Sequence, residues 1–147
     1  MEEEVRHMLK GQAQHGLDAK GRLILPVKFR EDLGSKFCLT KGFEKCLYLF
    51  PMKEWEKFSA GLEELPPLHR DTRRLKRHFI GSSEDVEPDK QGRFLIPQPL
   101  RDYAQIGKDV LIIGMLDRVE IWGLDYYHEF EENEEASISD IAENLVF

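Results

Sequence analysis

The residues of this chain best placed to do chemistry are two aspartate and arginine pairs at one spacing, Asp18 with Arg22 and Asp89 with Arg93. Each pair encloses a glycine, Gly21 or Gly92, directly before the arginine. Aspartate at the first and glycine at the fourth position of such a tetrad suit a type I turn. The carboxylate accepts from nearby amides, and glycine tolerates positive φ. An arginine that follows a rigid turn is held at the edge of a sheet, and a narrow β-ribbon end fits the major groove of a duplex. Its planar fork matches guanine O6 and N7 or bridges two phosphate oxygens. Lys20 and Lys90 flank the turns and suit phosphate contact, which positions a protein without reading sequence. The same spacing predicts an ion pair within each tetrad. The two roles are compatible, with the aspartate orienting the guanidinium.

Other chemistries find little support. None of the five histidines (His7, His15, His69, His78 and His128) sits at a metal-ligand spacing, and no nucleophile-elbow motif is present. Asp18 and Asp89 read as turn formers rather than as a general acid and base. The expectation is therefore no enzyme, no catalytic residue, no metal, no cofactor and no small-molecule substrate. Cys38 and Cys46 form neither a disulfide framework nor a Cys-x-x-Cys motif, and are expected as small buried apolar residues in a reducing compartment.

The elements that must position these pairs follow from an internal repeat. Asp18-Ala-Lys-Gly-Arg-Leu-Ile-Leu-Pro26 recurs 71 residues later as Asp89-Lys-Gln-Gly-Arg-Phe-Leu-Ile-Pro97, and Arg30 as Arg101. The echo continues: Gly42 to Pro51 parallels Gly114 to Gly123, and Trp55 and Phe58 align with Tyr127 and Phe130. In each unit three apolar residues follow the arginine, Leu23 to Leu25 and Phe94 to Ile96, and predict a short strand buried on both faces. Pro26 then opens a helical turn through Arg30 to Leu33, capped by Gly34, and Pro99 does likewise for Leu100 to Ala104. A second hairpin follows, Phe37 to Thr40 with Leu47 to Phe50, and Val110 to Ile113 with Val119 to Trp122. One such unit is too small to close a core, but two can pair.

Helices extend from both units. Met52, Trp55, Phe58 and Leu62 share a helical stripe that reads as core or interface. After Pro66-Pro67, Leu68, Thr72, Leu75 and Phe79 fall on one side of a helix and Arg70, Arg73, Arg74 and Arg77 on the other. That basic side suits phosphate contact, while a solvated face or one paired with the acidic tail is the plainer reading. His69 and His78 extend its polar side. In the tail, Ser137-x-x-Asp140 resembles a capping box ahead of Ile138, Ile141, Ala142, Leu145 and Val146, a stripe suited to docking on a neighbouring subunit or partner. Glu131 to Glu135 read as a solvated stretch.

Net charge is −7, yet its distribution matters more than its total. Residues 124 to 147 carry eight acidic side chains and no Lys or Arg, Glu2 to Glu4 add three, and the body between is left at +4. Acidic ends on a mildly basic body do not exclude DNA. The apolar run at residues 110 to 116 is far short of the ~18 residues of a membrane span. An acidic start gives no secretory signal, so the expected location is the cytoplasm.

Two Asp-x-x-Gly-Arg motifs in register, each followed by three apolar residues and a proline, resemble the MraZ family of bacterial transcriptional regulators. That family is a tandem version of the AbrB and SpoVT swapped-hairpin domains. Met8-Leu-Lys-Gly11, Leu47-Tyr-Leu-Phe-Pro51 with Trp55, and Glu120-Ile-Trp122 extend the likeness from about Met8 through Phe130. The resemblance implies an α+β fold: two swapped-hairpin units forming an intramolecular pseudo-twofold β-barrel flanked by helices, with subunits assembled into a homo-oligomeric ring. In this reading residues 1–11 are an extension leading into the first strand and 12–54 the first DNA-binding unit. A helical connector spans 55–80, the second unit 83–126, and an acidic helical tail 127–147. The resemblance further implies a nucleoid-associated repressor that binds short direct repeats of double-stranded DNA in the promoter of the division and cell-wall gene cluster, its own operon included. The DNA-reading positions carry over onto Asp18 with Arg22 and Asp89 with Arg93. The competing reading is an antitoxin-like or scaffold module acting through the acidic tail, since swapped-hairpin domains also serve as antitoxins.

Overall fold

The computed structural model describes residues 9–145. The extension at residues 1–7, Met8 and Val146, the last position of the tail stripe, lie outside the described residues. Among the described residues, eight strands and six helices follow in the order β1 (Gln12–Gly16), β2 (Arg22–Ile24), α1 (Val27–Leu33), β3 (Phe37–Lys41), β4 (Leu47–Pro51), α2 (Met52–Glu63), α3 (Arg70–Phe79), β5 (Glu84–Val86), β6 (Arg93–Leu95), α4 (Gln98–Tyr103), β7 (Asp109–Gly114), β8 (Val119–Gly123), α5 (Leu124–Glu132) and α6 (Ile138–Leu145). The fold is mixed α+β with antiparallel pairing throughout.

The repeat is visible in the sheet. Six strands run β1-β7-β8-β4-β3-β5, an order that maps onto itself when the two units are exchanged. Each unit lends its first strand to the other: β1 pairs with β7, and β5 with β3. The remaining short strands, β2 and β6, pair only with each other as a separate two-stranded ribbon. β1 and β5 end the six-strand order, so the strand pairing describes a sheet and a ribbon rather than a closed barrel.

Alternation along β3 and β4 explains why both faces of the sheet are covered. Phe37, Leu39, Leu47 and Leu49 face a core completed by Leu23, Leu25 and Phe29 of the first unit and Phe94, Ile96 and Leu100 of the second. Cys38, Tyr48 and Phe50 point the other way, into an aromatic layer with Trp122, Phe79 and residues of α2, α3 and α5. Phe37 meets Phe94 edge-on at 5.4 Å, joining ribbon to sheet.

Several expectations need correction. The strands after the arginines are not buried on both faces: Leu23 and Phe94 are buried, but Ile24 and Leu95 are 46% and 52% exposed. The ribbon has the sheet on one side only, so period-2 alternation turns every second residue outward. The second short helix begins at Gln98, with Pro97 rather than Pro99 at its N-cap, so Pro97 repeats the role of Pro26. Leu68 precedes α3 and is 90% exposed, whereas Thr72 and Phe79 are buried. The acidic stretch is exposed as expected from Glu131 to Glu135, with Glu131 and Glu132 closing α5. His69 accepts from the Asp71 amide as the N-cap of α3, and His78 Nε2 lies 2.8 Å from the Gly42 carbonyl, so neither merely extends a polar face.

Candidate nucleic-acid interface

Both tetrads fold into the same turn. The Gly21 amide donates to the Asp18 carbonyl at 3.0 Å and the Asp18 amide to the Arg22 carbonyl at 2.9 Å; Gly92 and Asp89 repeat this at 2.9 Å each. Gly21 and Gly92 have φ of 83° and 82°, a region in which a Cβ is strained.

The aspartate organises each turn. Asp18 Oδ1 accepts from the amides of Lys20 and Arg22, both at 2.9 Å, and Oδ2 accepts from Arg22 Nε at 2.7 Å. Asp89 does the same with the amides of Gln91 and Arg93 and with Arg93 Nε at 2.8 Å. The backbone amide of the arginine, followed by its side chain, holds each carboxyl below the ordinary value of 3.8. With Nε engaged, the η nitrogens of Arg22 and Arg93 have no hydrogen-bond partner among the described residues and lie on half-exposed side chains. That leaves the η nitrogens of each fork as donors for a ligand.

The ribbon brings the pairs together. Arg22 lies opposite Leu95, and Ile24 opposite Arg93. Residues opposite one another share a face, so Arg22, Arg93, Ile24 and Leu95 form one surface, with the arginines as diagonal neighbours whose Cα atoms are about 7–8 Å apart. Lys20 and Lys90 are exposed in the turns but not equivalent, since the position of Lys20 is taken by Gln91 in the second turn. Each repeat unit taken by itself predicts its own arginine-bearing turn, separate from the other. The cross-unit pairing of β2 with β6, the exposed Ile24 and Leu95, and the packing of Arg30 and Arg101 against the turns were missed. The 71-residue offset was the available signal for the first, because an unpaired short strand repeated twice has its own copy as the nearest partner.

Away from the ribbon, Arg70, Arg73, Arg74 and Arg77 are exposed on α3. No group of side chains suited to hold a metal ion occurs among the described residues, and no helix among them is long and apolar enough to cross a membrane.

A family model described as "MraZ protein, putative antitoxin-like" matches residues 8–78 and again 79–146. Similar curated proteins include "Transcriptional regulator MraZ" of Thermoanaerobacter sp. (strain X514), 48% identical over 94% of this chain and 96% of the relative. Proteins of the same name from Acetivibrio thermocellus and Lactiplantibacillus plantarum are 47% and 44% identical, over 94% and 95% of this chain and 96% and 99% of theirs.

Proposed function

The chain belongs to the MraZ family, and from that premise we propose that it is a sequence-specific DNA-binding transcriptional regulator whose reading surface is the β2–β6 ribbon. The observation that carries this is the common exposed face of Arg22 and Arg93, each fork held by its own aspartate. A two-stranded ribbon fits the major groove, and two forks on one of its faces can each meet a guanine. Lys20 and Lys90 take phosphates on either side. Units at 12–54 and 83–126, joined by the helical segment 55–80, act as one intertwined swapped-hairpin body, a reading supported by the exchange of β1 and β5 between them.

One ribbon offers few contacts, so a single subunit binds weakly. In this proposal copies assemble into a ring and engage short direct repeats in the promoter of the division and cell-wall gene cluster, including the chain's own operon. Linked copies raise apparent affinity by about 10²–10⁴ where spacing matches. Repression follows as the engaged promoter excludes polymerase, placing the protein on the nucleoid in the cytoplasm.

The test is a footprint on DNA upstream of the chain's own gene. Protected repeats are expected, with affinity falling by about 10³ or more between 50 and 200 mM salt if six or more phosphates are engaged. No protection at the lower salt would overturn the proposal.

A second role is compatible with the first. α6 exposes Ile138 and Leu145 at 80% and 75% on an acidic segment, which favours a tail that docks on a protein. Removing residues 133–147 should spare DNA binding while releasing any stoichiometric partner that co-purifies.

A further inference from the structure

The register of the ribbon sets an aliphatic side chain directly across from each DNA-reading arginine: Leu95 faces Arg22, and Ile24 faces Arg93. Each pair is made of one residue from each unit, so the arrangement is a product of the cross-unit pairing. Leu95 and Ile24 remain 52% and 46% exposed, while Leu23 and Phe94 on the opposite face are buried. Large aliphatics at these two positions stand outside the core, and about half of each is open to solvent.

The occupant of this face has to satisfy four side chains together. An apolar protein surface would bury Ile24 and Leu95 but strip water from two guanidinium groups whose η nitrogens lack partners, an unfavourable exchange. A single phosphate would satisfy a guanidinium and leave the aliphatics wet. The major-groove edge of a duplex supplies both halves, acceptors on guanine and a C5 methyl group on thymine, on adjacent base pairs.

We propose that Leu95 and Ile24 are sequence-reading residues that contact thymine methyl groups next to the guanines read by Arg22 and Arg93. This rests on the ribbon being the DNA-reading surface, and it adds a base identity to that reading. Because the two pairs repeat with approximate twofold symmetry, the preferred site carries guanine and thymine side by side at two places. The methyl is sensed by packing alone, so 5-methylcytosine at the same place would substitute in part. Uracil, which lacks only the methyl, would not.

The experiment uses the full chain and a duplex recovered by selection from random-sequence double-stranded DNA. Its thymines are then replaced one at a time by deoxyuridine, leaving every hydrogen-bonding group in place. The expected result is a loss of about fourfold per contacted methyl, the effect of removing one buried methylene-sized group. That loss should be confined to positions beside the selected guanines. Ile24→Ala and Leu95→Ala should bind the thymine duplex more weakly and each become insensitive to deoxyuridine at one place. Ile24→Val, which keeps strand preference and most of the aliphatic surface, should retain the discrimination and guards against a folding artefact.

Equal binding of thymine and deoxyuridine duplexes by the unmodified chain would overturn the inference, as would full methyl discrimination in the Ile24→Ala, Leu95→Ala double variant. A change in oligomeric mass on the double substitution would assign the face to a protein interface and also overturn it. If the chain selects no duplex at all, the regulator reading itself fails, an outcome distinct from the other three.

Discussion

Arg101 occupies the space in which a side chain on Gly21 would begin: a Cβ on Gly21 would lie 2.5 Å from Arg101 Nη1. The relationship is reciprocal, since a Cβ on Gly92 would lie 2.6 Å from Arg30 Cζ. Each unit's helix therefore supports the other unit's turn. Arg30 adds two bonds of its own, Nε to the Leu25 carbonyl at 2.8 Å and Nη2 to the Gln91 carbonyl at 3.1 Å.

Gly21→Ala and Gly92→Ala are accordingly expected to act twice. The positive φ costs each variant about 1–2 kcal/mol, seen as a melting temperature lower by about 2–8 °C. The guanidinium behind the turn, at the end of a flexible side chain, moves aside and leaves the arginine of the tetrad less firmly placed. Affinity for promoter DNA should fall further than the lost stability explains, which parallel melting and binding titrations would reveal. A fully active Gly21→Ala would show that the turn need not be rigid.

Arg22→Ala should abolish promoter binding while the fold persists. Its pair with Asp18 is partly exposed on both sides, and ion pairs open to solvent contribute little to stability. Arg22→Lys should restore little, because a point charge cannot present two parallel donors to guanine. Arg93→Ala should behave similarly if both forks read bases. Gel shifts beside circular dichroism spectra separate the two effects, and normal binding by Arg22→Ala would remove the central residue of the interface.

Local chemistry made much of this arrangement legible in the sequence. The Asp18 and Asp89 turns, the helices opened by Pro26 and the second hairpins follow from residue preferences and period-2 or helical spacing, which act over a few residues. What escaped is non-local. Leu23-Ile24-Leu25 is apolar throughout, so no alternation marks Ile24 as outward facing, and only the pairing of β2 with β6 determines which side is covered. The docking of Arg101 against Gly21 joins positions 80 residues apart, linked by no periodicity. Pro97 and Pro99 both suit the first turn of a helix, so local preference alone does not say which of them opens α4.

The tetrads also predict an acid response. Each carboxyl is held below 3.8 by the arginine's amide and side chain, so the ionised form is favoured in the fold. The stabilisation is complete above the unfolded value near 3.8 and is lost as pH falls through the lower folded one. Turn geometry and DNA affinity should therefore show no carboxylate titration between pH 5 and 8. Carbon-detected NMR should find the Asp18 midpoint below 3.8 and shifted upward in Arg22→Ala; a midpoint above 3.8 would contradict the geometry.

Thr40 ties the sheet to α3. Fully buried, its Oγ1 donates to the Phe79 carbonyl at 2.6 Å and lies 3.1 Å from Ser82 Oγ, which itself donates to the His78 carbonyl at 2.7 Å. Thr40→Val preserves shape but leaves polar groups unsatisfied, and should cost about 1–3 kcal/mol. Because the site lies in the sheet and not in the ribbon, DNA affinity of the folded variant should match that of the unchanged chain. Chemical denaturation measures the first effect, and a loss of affinity without a loss of stability would place Thr40 in the reading surface.

Cys38 and Cys46 are both buried and free. Burial first, and then the nearby Asp85 carboxylate, pushes the Cys38 thiol from 9.0 up to about 12. Burial and Glu120 push Cys46 upward as well. The thiolate is the reactive form, so neither side chain should be alkylated by iodoacetamide at pH 8 in the folded chain, while both react rapidly once it is unfolded. The sign for stability follows: the unfolded chain releases these protons near pH 9 and the fold does not, so melting temperature should decline as pH rises above 9. Substituting both with alanine should flatten that decline while lowering stability at neutral pH through the cavities left behind. Rapid labelling of Cys38 at pH 8 under native conditions would mean that β3 opens far more readily than its packing allows.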